Sequence, residues 1–315
     1  MPLKPHLIAA ALALTLPLTS PAAPFAYVPN EGSGTLSIID TATDQITATV
    51  PAGKKPRGTA MSSDGKTAFV SDQPNNAILM IDVAARSVTG EIAVGDSPEG
   101  VSISADGRWI AAAIEEDNEI AFIDAATKLK AFSVKVRGKN PEHAVFSPDG
   151  RFVFVSAEEG GAVDVIDFAQ RAAIAQIKVG ARPRGIGFTP DSTKAFVAAE
   201  TSSEVFVIDA VKHSILAKIK VGARSNGIAV HPDGKHVFIS NGGDATVSVV
   251  DTGSYAVVAT IPVGERPWNM AITPDGKKLY VACGRAGGVS VIDAEKLVKT
   301  TDIATGKLPW GVAIR

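Results

Sequence analysis

One motif recurs seven times along this chain, and its spacing constrains the fold more than any other feature. The copies begin GKKPRG (53–58), GDSPEG (95–100), GKNPEH (138–143), GARPRG (180–185), GARSNG (222–227), GERPWN (264–269) and GKLPWG (306–311). The proline position falls at 56, 98, 141, 183, 225 (a serine), 267 and 309, so the steps are 42, 43, 42, 42, 42 and 42 residues. A fixed period of about 40 residues marks a chain built from one supersecondary unit that buries its apolar faces against its neighbours.

Each unit contains four short strand-like runs. The first follows the proline motif, as in Gly185-Ile-Gly-Phe-Thr189, and ends in a turn such as Pro148-Asp-Gly150, Pro232-Asp-Gly234 or Pro274-Asp-Gly276. Proline presets one turn angle there and glycine accepts the left-handed one. The second run reads Phe154-Val-Ser156 or Phe238-Ile-Ser240. The third closes on aspartate at 40, 82, 124, 167, 209, 251 and 293, and the fourth resembles Ile215-Leu-Ala-Lys-Ile-Lys-Val221. Four strands per period is the blade signature of a propeller. The seven aspartates are expected to cap their own turns by accepting backbone N–H groups. One per blade puts them on a wide ring, too far apart to share an ion.

The two ends settle the closure. The last unit stops after its first strand, at Gly311-Val-Ala-Ile-Arg315, and Pro24-Phe-Ala-Tyr-Val28 reads as a second strand. The expected fold is therefore all-β: a seven-bladed β-propeller of four-stranded antiparallel blades, closed by one C-terminal strand joining three N-terminal strands. Ahead of it, Lys4 and His6 precede an apolar run from Leu7 to Leu18 and then Thr19-Ser-Pro-Ala22. This order is that of a secretory signal, and the run is too short to span a bilayer as a helix. Residues 1–22 are expected to be removed after Ala22, leaving 23–315 as a single propeller in the periplasm, a monomer with no membrane span. Seven periods fill that length and leave none for a second domain. The lone cysteine, Cys283, excludes an internal disulfide and is expected to be a buried filler.

Charge narrows the partners. The formal net charge of −2 provides no basic field for nucleic acid. The proline-motif loops carry Arg57, Arg182, Arg184, Arg224 and Arg266. The loops between second and third strands carry Glu31, Glu115, Glu158, Glu159 and Glu200. Both loop sets belong on one face, around the channel mouth. One reading is mutual charge satisfaction on a solvated rim; the other is a site where arginines clamp a small anionic ligand. The residue after the proline position is Arg57, Glu99, Glu142, Arg184, Asn226, Trp268 and Trp310. It directly precedes the inner strand, which places it at the mouth. Trp268 and Trp310 belong to adjoining units and are expected to be spatial neighbours, with His143 on the same face. The candidate ligand-binding set is thus Arg57, His143, Arg182, Arg184, Arg224, Arg266, Trp268 and Trp310. Trp109 lies within a second strand and is expected in the core.

No catalytic constellation is legible. Cys-x-x-Cys-His, His-Glu-x-x-His and Gly-x-Ser-x-Gly do not occur. His213, His231 and His236 are scattered. No catalytic or metal-ligating residues are assigned, although rim carboxylates include pairs that spacing alone does not exclude from acid–base work.

Tyr27-Val-Pro-Asn30, Phe238-Ile-Ser-Asn241, the third-strand Val289-Ser-Val-Ile-Asp293 and the G-x-x-P-x-G loops with P-D-G turns resemble the YVTN β-propeller repeat family, over the whole of 23–315. Within it, a leader followed by seven repeats is similar to the β-propeller proteins associated with pyrroloquinoline quinone (PQQ)-dependent alcohol catabolism. That resemblance implies a non-catalytic binding or scaffold protein. Its implied partners are a periplasmic quinoprotein dehydrogenase or cytochrome c, and the stacking surface of Trp268 and Trp310 beside Arg184 and Arg266 makes PQQ, a planar anion, the expected ligand. Other propellers of similar repeat type are lactonases, and propeller domains also bind haem d1. The compact repeats leave little room for catalytic loops, so a lactonase-type hydrolase is the alternative.

Overall fold

The computed structural model describes residues 24–315. The expected leader and its cleavage point after Ala22 lie outside the described residues. Seven four-stranded antiparallel sheets form the blades. Blade 1 combines residues 25–51 with the short strand Ala313–Ile314. Blades 2 to 7 span 56–93, 98–135, 141–178, 183–220, 225–262 and 267–304. In blade 1 the innermost strand is Ala313–Ile314, paired antiparallel with Ala26 and Tyr27, so the ends of the ring close it as the sequence implies. A sheet closed this way leaves no free edge at the junction.

Burial within a blade follows position. Second and third strands are buried on both faces: Ala195 to Ala199 and Val205 to Val207 are all 2% exposed or less. Outer strands alternate toward solvent, as in Ser214–Lys220. Each inter-blade core is made from neighbouring sheets; Phe154, Val165 and Ile177 of blade 4 pack with Ile186, Phe188 and Val197 of blade 5. Trp109 sits half-buried in such a layer, edge-on to Phe132 and Phe168 at 5.8 and 5.6 Å. Cys283 is buried in the core of blade 7, and burial pushes its thiol up.

The third-strand aspartates cap turns. Asp209 Oδ1 accepts N–H groups from Val211 at 3.0 Å and Lys212 at 2.8 Å. Asp40, Asp82, Asp124, Asp167, Asp251 and Asp293 make equivalent bonds. Near the axis, inner strands touch directly. A Cβ on Gly58 would lie 2.4 Å from the Glu99 carbonyl oxygen and the Val101 nitrogen of the next blade. Ser71 fixes that contact, accepting from the Gly58 N–H at 2.8 Å and donating to the Glu99 carbonyl at 2.6 Å.

Candidate functional site at the channel mouth

The residue after the proline position is aimed by a break in the ladder. In blade 5, Pro183 pairs with Ala199, and regular pairing resumes only at Ile186 with Val197. The same slip follows Pro56, Pro98, Ser225 and Pro267. A bulge of this kind frees a side chain from the sheet face and re-aims it. Arg57, Glu142, Arg184, Asn226, Trp268 and Trp310 are thereby collected around one recess of about 330 Å³. The preceding residues Arg182, Arg224 and Arg266 hold positive φ angles of 55–58°. That conformation costs a non-glycine residue about 1 kcal/mol or more.

The arginines and glutamates form one network. Arg57 reaches Glu31 at 3.3 Å and pairs closely with Glu99. Arg184 pairs with Glu142, with Glu158 at 2.5 Å and with Glu200 at 2.9 Å. Glu200 also accepts from Arg224 at 2.7 Å and Arg266 at 2.9 Å. Burial alone would raise the Glu200 carboxyl. The charge of Arg184 and the hydrogen bonds from Arg266, Arg224 and Arg184 outweigh it and bring the pKa down to about 2. Glu99 behaves oppositely. Burial, reinforced by the Glu142 charge, pushes its carboxyl up to about 8 against the pull of Arg57. Its Oε1 accepts from Gln73 at 2.8 Å, whereas its buried Oε2 has no partner among the described residues.

Below the recess the channel is plugged. His143 of blade 4 meets the Trp310 ring of blade 1 edge-on, with centroids 5.3 Å apart and planes at 87°. His143 Nδ1 lies 2.9 Å from the Glu142 carbonyl oxygen, and the Asn269 side chain supports the imidazole. Burial depresses the His143 pKa and holds the ring neutral. A second cavity of about 190 Å³ continues down the shaft. Arg57, Asn269 and Trp310 line both spaces. Among the described residues no group of three His, Cys, Asp or Glu side chains is arranged to hold a metal ion. No helix among them is long and apolar enough to cross a membrane.

The model of the YNCE-like beta-propeller family matches residues 1–314. The chain belongs to that family. No curated protein matches the sequence. Among solved structures, Kuenenia stuttgartiensis hydrazine synthase is similar with TM-score 0.79 at 22% identity, over 90% of this chain and 99% of that one. A protein of unknown function from Desulfotomaculum acetoxidans gives 0.81 at 17%, over 92% and 98%. A protein described as a candidate 6-phosphogluconolactonase from Bacteroides uniformis gives 0.78 at 19%, over 93% and 100%. At these identities the likeness is one of fold.

In this YNCE-like propeller the residues singled out from the sequence take three places. Arg57, Arg182, Arg184, Arg266, Trp268 and Trp310 line the recess, and Arg224 joins them through Glu200. His143 lies below, in the plug. Trp268 and Trp310 border the same recess, but their ring partners differ: Trp310 meets His143, while Trp268 lies over Gly284, where a Cβ would come within 2.6 Å of its ring. Glu99, Glu142 and Glu200, which the sequence places on this face, were not in the candidate set, and Asn269 was not singled out at all. A signal for the plug existed: the motif ends in Gly at 58, 100, 185, 227 and 311, but in His143 and Asn269 in blades 4 and 7. The two departures are the two residues that meet in the channel.

Proposed function

We propose that this chain is a non-catalytic binding propeller of the periplasm that serves PQQ-dependent alcohol oxidation, with the channel mouth as its binding surface. The resemblance of the repeats and the leader-like start support the setting. One observation carries the binding role: a recess of about 330 Å³ bordered by two tryptophans and rimmed by arginines that are not all equally committed. Arg184 and Arg266 are nearly buried among carboxylates, whereas the Arg182 and Arg224 side chains are 46% and 51% exposed. A planar polycarboxylate such as PQQ fits this arrangement at the rim, with its rings against Trp268 or Trp310 and its carboxylates on Arg182 and Arg224. Arg182 and Arg224 also pair with Glu158 and Glu200, but their exposed edges remain open to an anion, whereas deeper in the recess Arg184 and Arg266 are enclosed with their glutamates. A quinoprotein dehydrogenase or cytochrome c is the macromolecular partner this reading implies.

The test is a PQQ titration followed by tryptophan fluorescence. Saturable quenching is expected in the parent chain. It is expected to be lost in Trp268→Ala/Trp310→Ala and weakened in Arg182→Ala. Absent quenching, or equal quenching in the double variant, rejects the site.

A lactonase is the second reading, favoured by one feature: beside Arg57 at the mouth stands a buried Glu99 carboxyl that burial and the Glu142 charge push toward its protonated form, the form a general acid requires. Lactone turnover by the parent that disappears in Glu99→Gln would replace the binding role with catalysis.

A further inference from the structure

A cavity more than twice the size of the mouth recess lies on the opposite face, at the ring closure. In blades 2 to 7 a tight turn joins the inner strand to the second; in five of them a Ser or Thr hydroxyl holds it on an Asp carboxylate, as in Ser62–Asp64 at 2.6 Å and Thr273–Asp275 at 2.6 Å, and in blade 6 His231 takes the hydroxyl's place beside Asp233. In blade 1 no such turn joins the corresponding strands, because Ala313–Ile314 and Phe25–Asn30 come from opposite ends of the ring. The turns of blades 2 and 7 flank the gap. The consequence is measurable. The ordinary recess between the turns of blades 5 and 6 holds about 220 Å³; the closure gap holds about 800 Å³.

Its walls select a kind of ligand. Pro24, Phe25, Tyr27 and Pro274 supply apolar surface. The charges on its rim balance. Lys278 is held by Asp44 at 2.8 Å, which leaves Lys277 and Arg315 against Asp64 and Asp275. Of the buried hydroxyls that line it, Thr41 donates to the Pro24 carbonyl and Thr273 to Asp275, whereas Tyr27 is uncommitted. Its side chain is part of the blade 1 core and only 2% exposed, it lines the cavity, and its hydroxyl makes no hydrogen bond with any described residue. The phenol is otherwise enclosed by the blade 1 core and opens only on the cavity, so its donor is free for whatever enters there.

We propose that the closure cavity binds a neutral, mostly apolar small molecule whose carbonyl or ether oxygen accepts a hydrogen bond from the Tyr27 hydroxyl. The site is independent of the channel mouth, and its ligand enters from the opposite face.

The experiment uses prodan, a neutral naphthalene ketone whose emission moves to the blue in apolar surroundings, with the chain from Ala23 onward, which contains the whole ring. The expected result is saturable, blue-shifted binding. Tyr27→Phe, which keeps the ring and its packing, is expected to weaken it about fivefold to tenfold, the worth of one hydrogen bond. Ala42→Trp, at an exposed lining position, is expected to block it, and Trp268→Ala at the mouth to leave it unchanged. Absent binding, or equal binding in Tyr27→Phe and Ala42→Trp, overturns the proposal. Two other outcomes also overturn it by naming a different occupant. Dye excluded by the chain from Met1 but bound by the chain from Ala23 assigns the cavity to the chain's own leading segment. Dye displaced as a dimer forms in sedimentation assigns it to a second copy.

Discussion

Replacing Glu200 by glutamine tests whether the mouth network stabilises the ring. Glu200 is 2% exposed, and its carboxylate serves guanidiniums from three consecutive blades. Oε1 accepts from Arg224 Nε at 3.0 Å and Nη2 at 2.7 Å and from Arg266 Nη2 at 2.9 Å, while Oε2 accepts from Arg184 Nε at 2.9 Å. An amide of the same shape keeps one acceptor and turns N–H groups toward a guanidinium. The magnitude follows from linkage. The carboxyl falls from an ordinary 4.5 to about 2, and at about 1.4 kcal/mol per pH unit that difference is about 3 kcal/mol of stability. The sign is that of a depressed acid: the contribution is present above pH 4.5 and is lost as pH falls through 2. Glu200→Gln is therefore expected to lower Tm by about 6–12 °C at pH 7, taking roughly 2–4 °C per kcal/mol for a chain of this size. The gap is expected to narrow steadily below pH 4.5.

Urea unfolding followed by tryptophan fluorescence at pH 7 and pH 3 measures this without adding salt. A penalty equal at both pH values would mean that shape, not charge, is what Glu200 supplies. No penalty at pH 7 would mean that water serves these arginines as well as the carboxylate does, as at most exposed pairs. Raising the ionic strength is expected to change the penalty little, because buried pairs are weakly screened.

Two further predictions concern the axis and the mouth. Gly58→Ala is expected to cost about 3 kcal/mol, because its Cβ meets backbone of the next blade at 2.4 Å, whereas Gly150→Ala, at φ +72° with no atom within 4 Å, is expected to cost about 1 kcal/mol; thermal unfolding of the pair separates blade contact from backbone strain. Glu99 has a raised pKa, so its contribution to stability is full below pH 4.5 and is lost as pH rises through about 8. Glu99→Gln is accordingly expected to match the parent at pH 4 and to exceed its stability at pH 9 by a few kcal/mol, and urea midpoints at those two values decide it.

The blades were legible because every element repeats a local instruction. Alternating apolar runs, a left-handed glycine in the Pro-Asp-Gly turns and an aspartate ending each third strand are short-range signals. They come in seven copies, so the departure of one copy, such as Ser225 for proline, costs the reading nothing. Closure was legible for the same reason, since the missing strand at one end is present at the other. The mouth was only half legible. The motif shows that residues 57, 184 and 268 stand at the rim, but not which carboxylate each arginine meets. Arg184 takes Glu142 from blade 4 and Glu200 from its own blade, and that choice depends on side-chain reach across a curved wall, which no periodicity encodes.

The plug shows where the remaining information lay. A seven-fold repeat makes the channel lining a ring of equivalent positions, and wherever inner strands must touch, the last position of the motif is best filled by glycine. Any larger residue there must project into the channel or push the blades apart. Two large residues in neighbouring blades would collide with the adjoining backbone on the same side. His143 and Asn269 instead stand in blades 4 and 7, separated by two blades on one side and three on the other; each lies beside a glycine of an adjoining blade, Gly100 and Gly227, where a Cβ would come within 2.5 Å of His143 and 2.8 Å of Asn269, and the Asn269 side chain supports the imidazole under Trp310. The exceptions to the repeat are therefore not noise in the pattern. They are the positions at which the fold ceases to dictate the residue, and in this propeller they sit together, with Trp268 and Trp310, on the one face where the arginines gather.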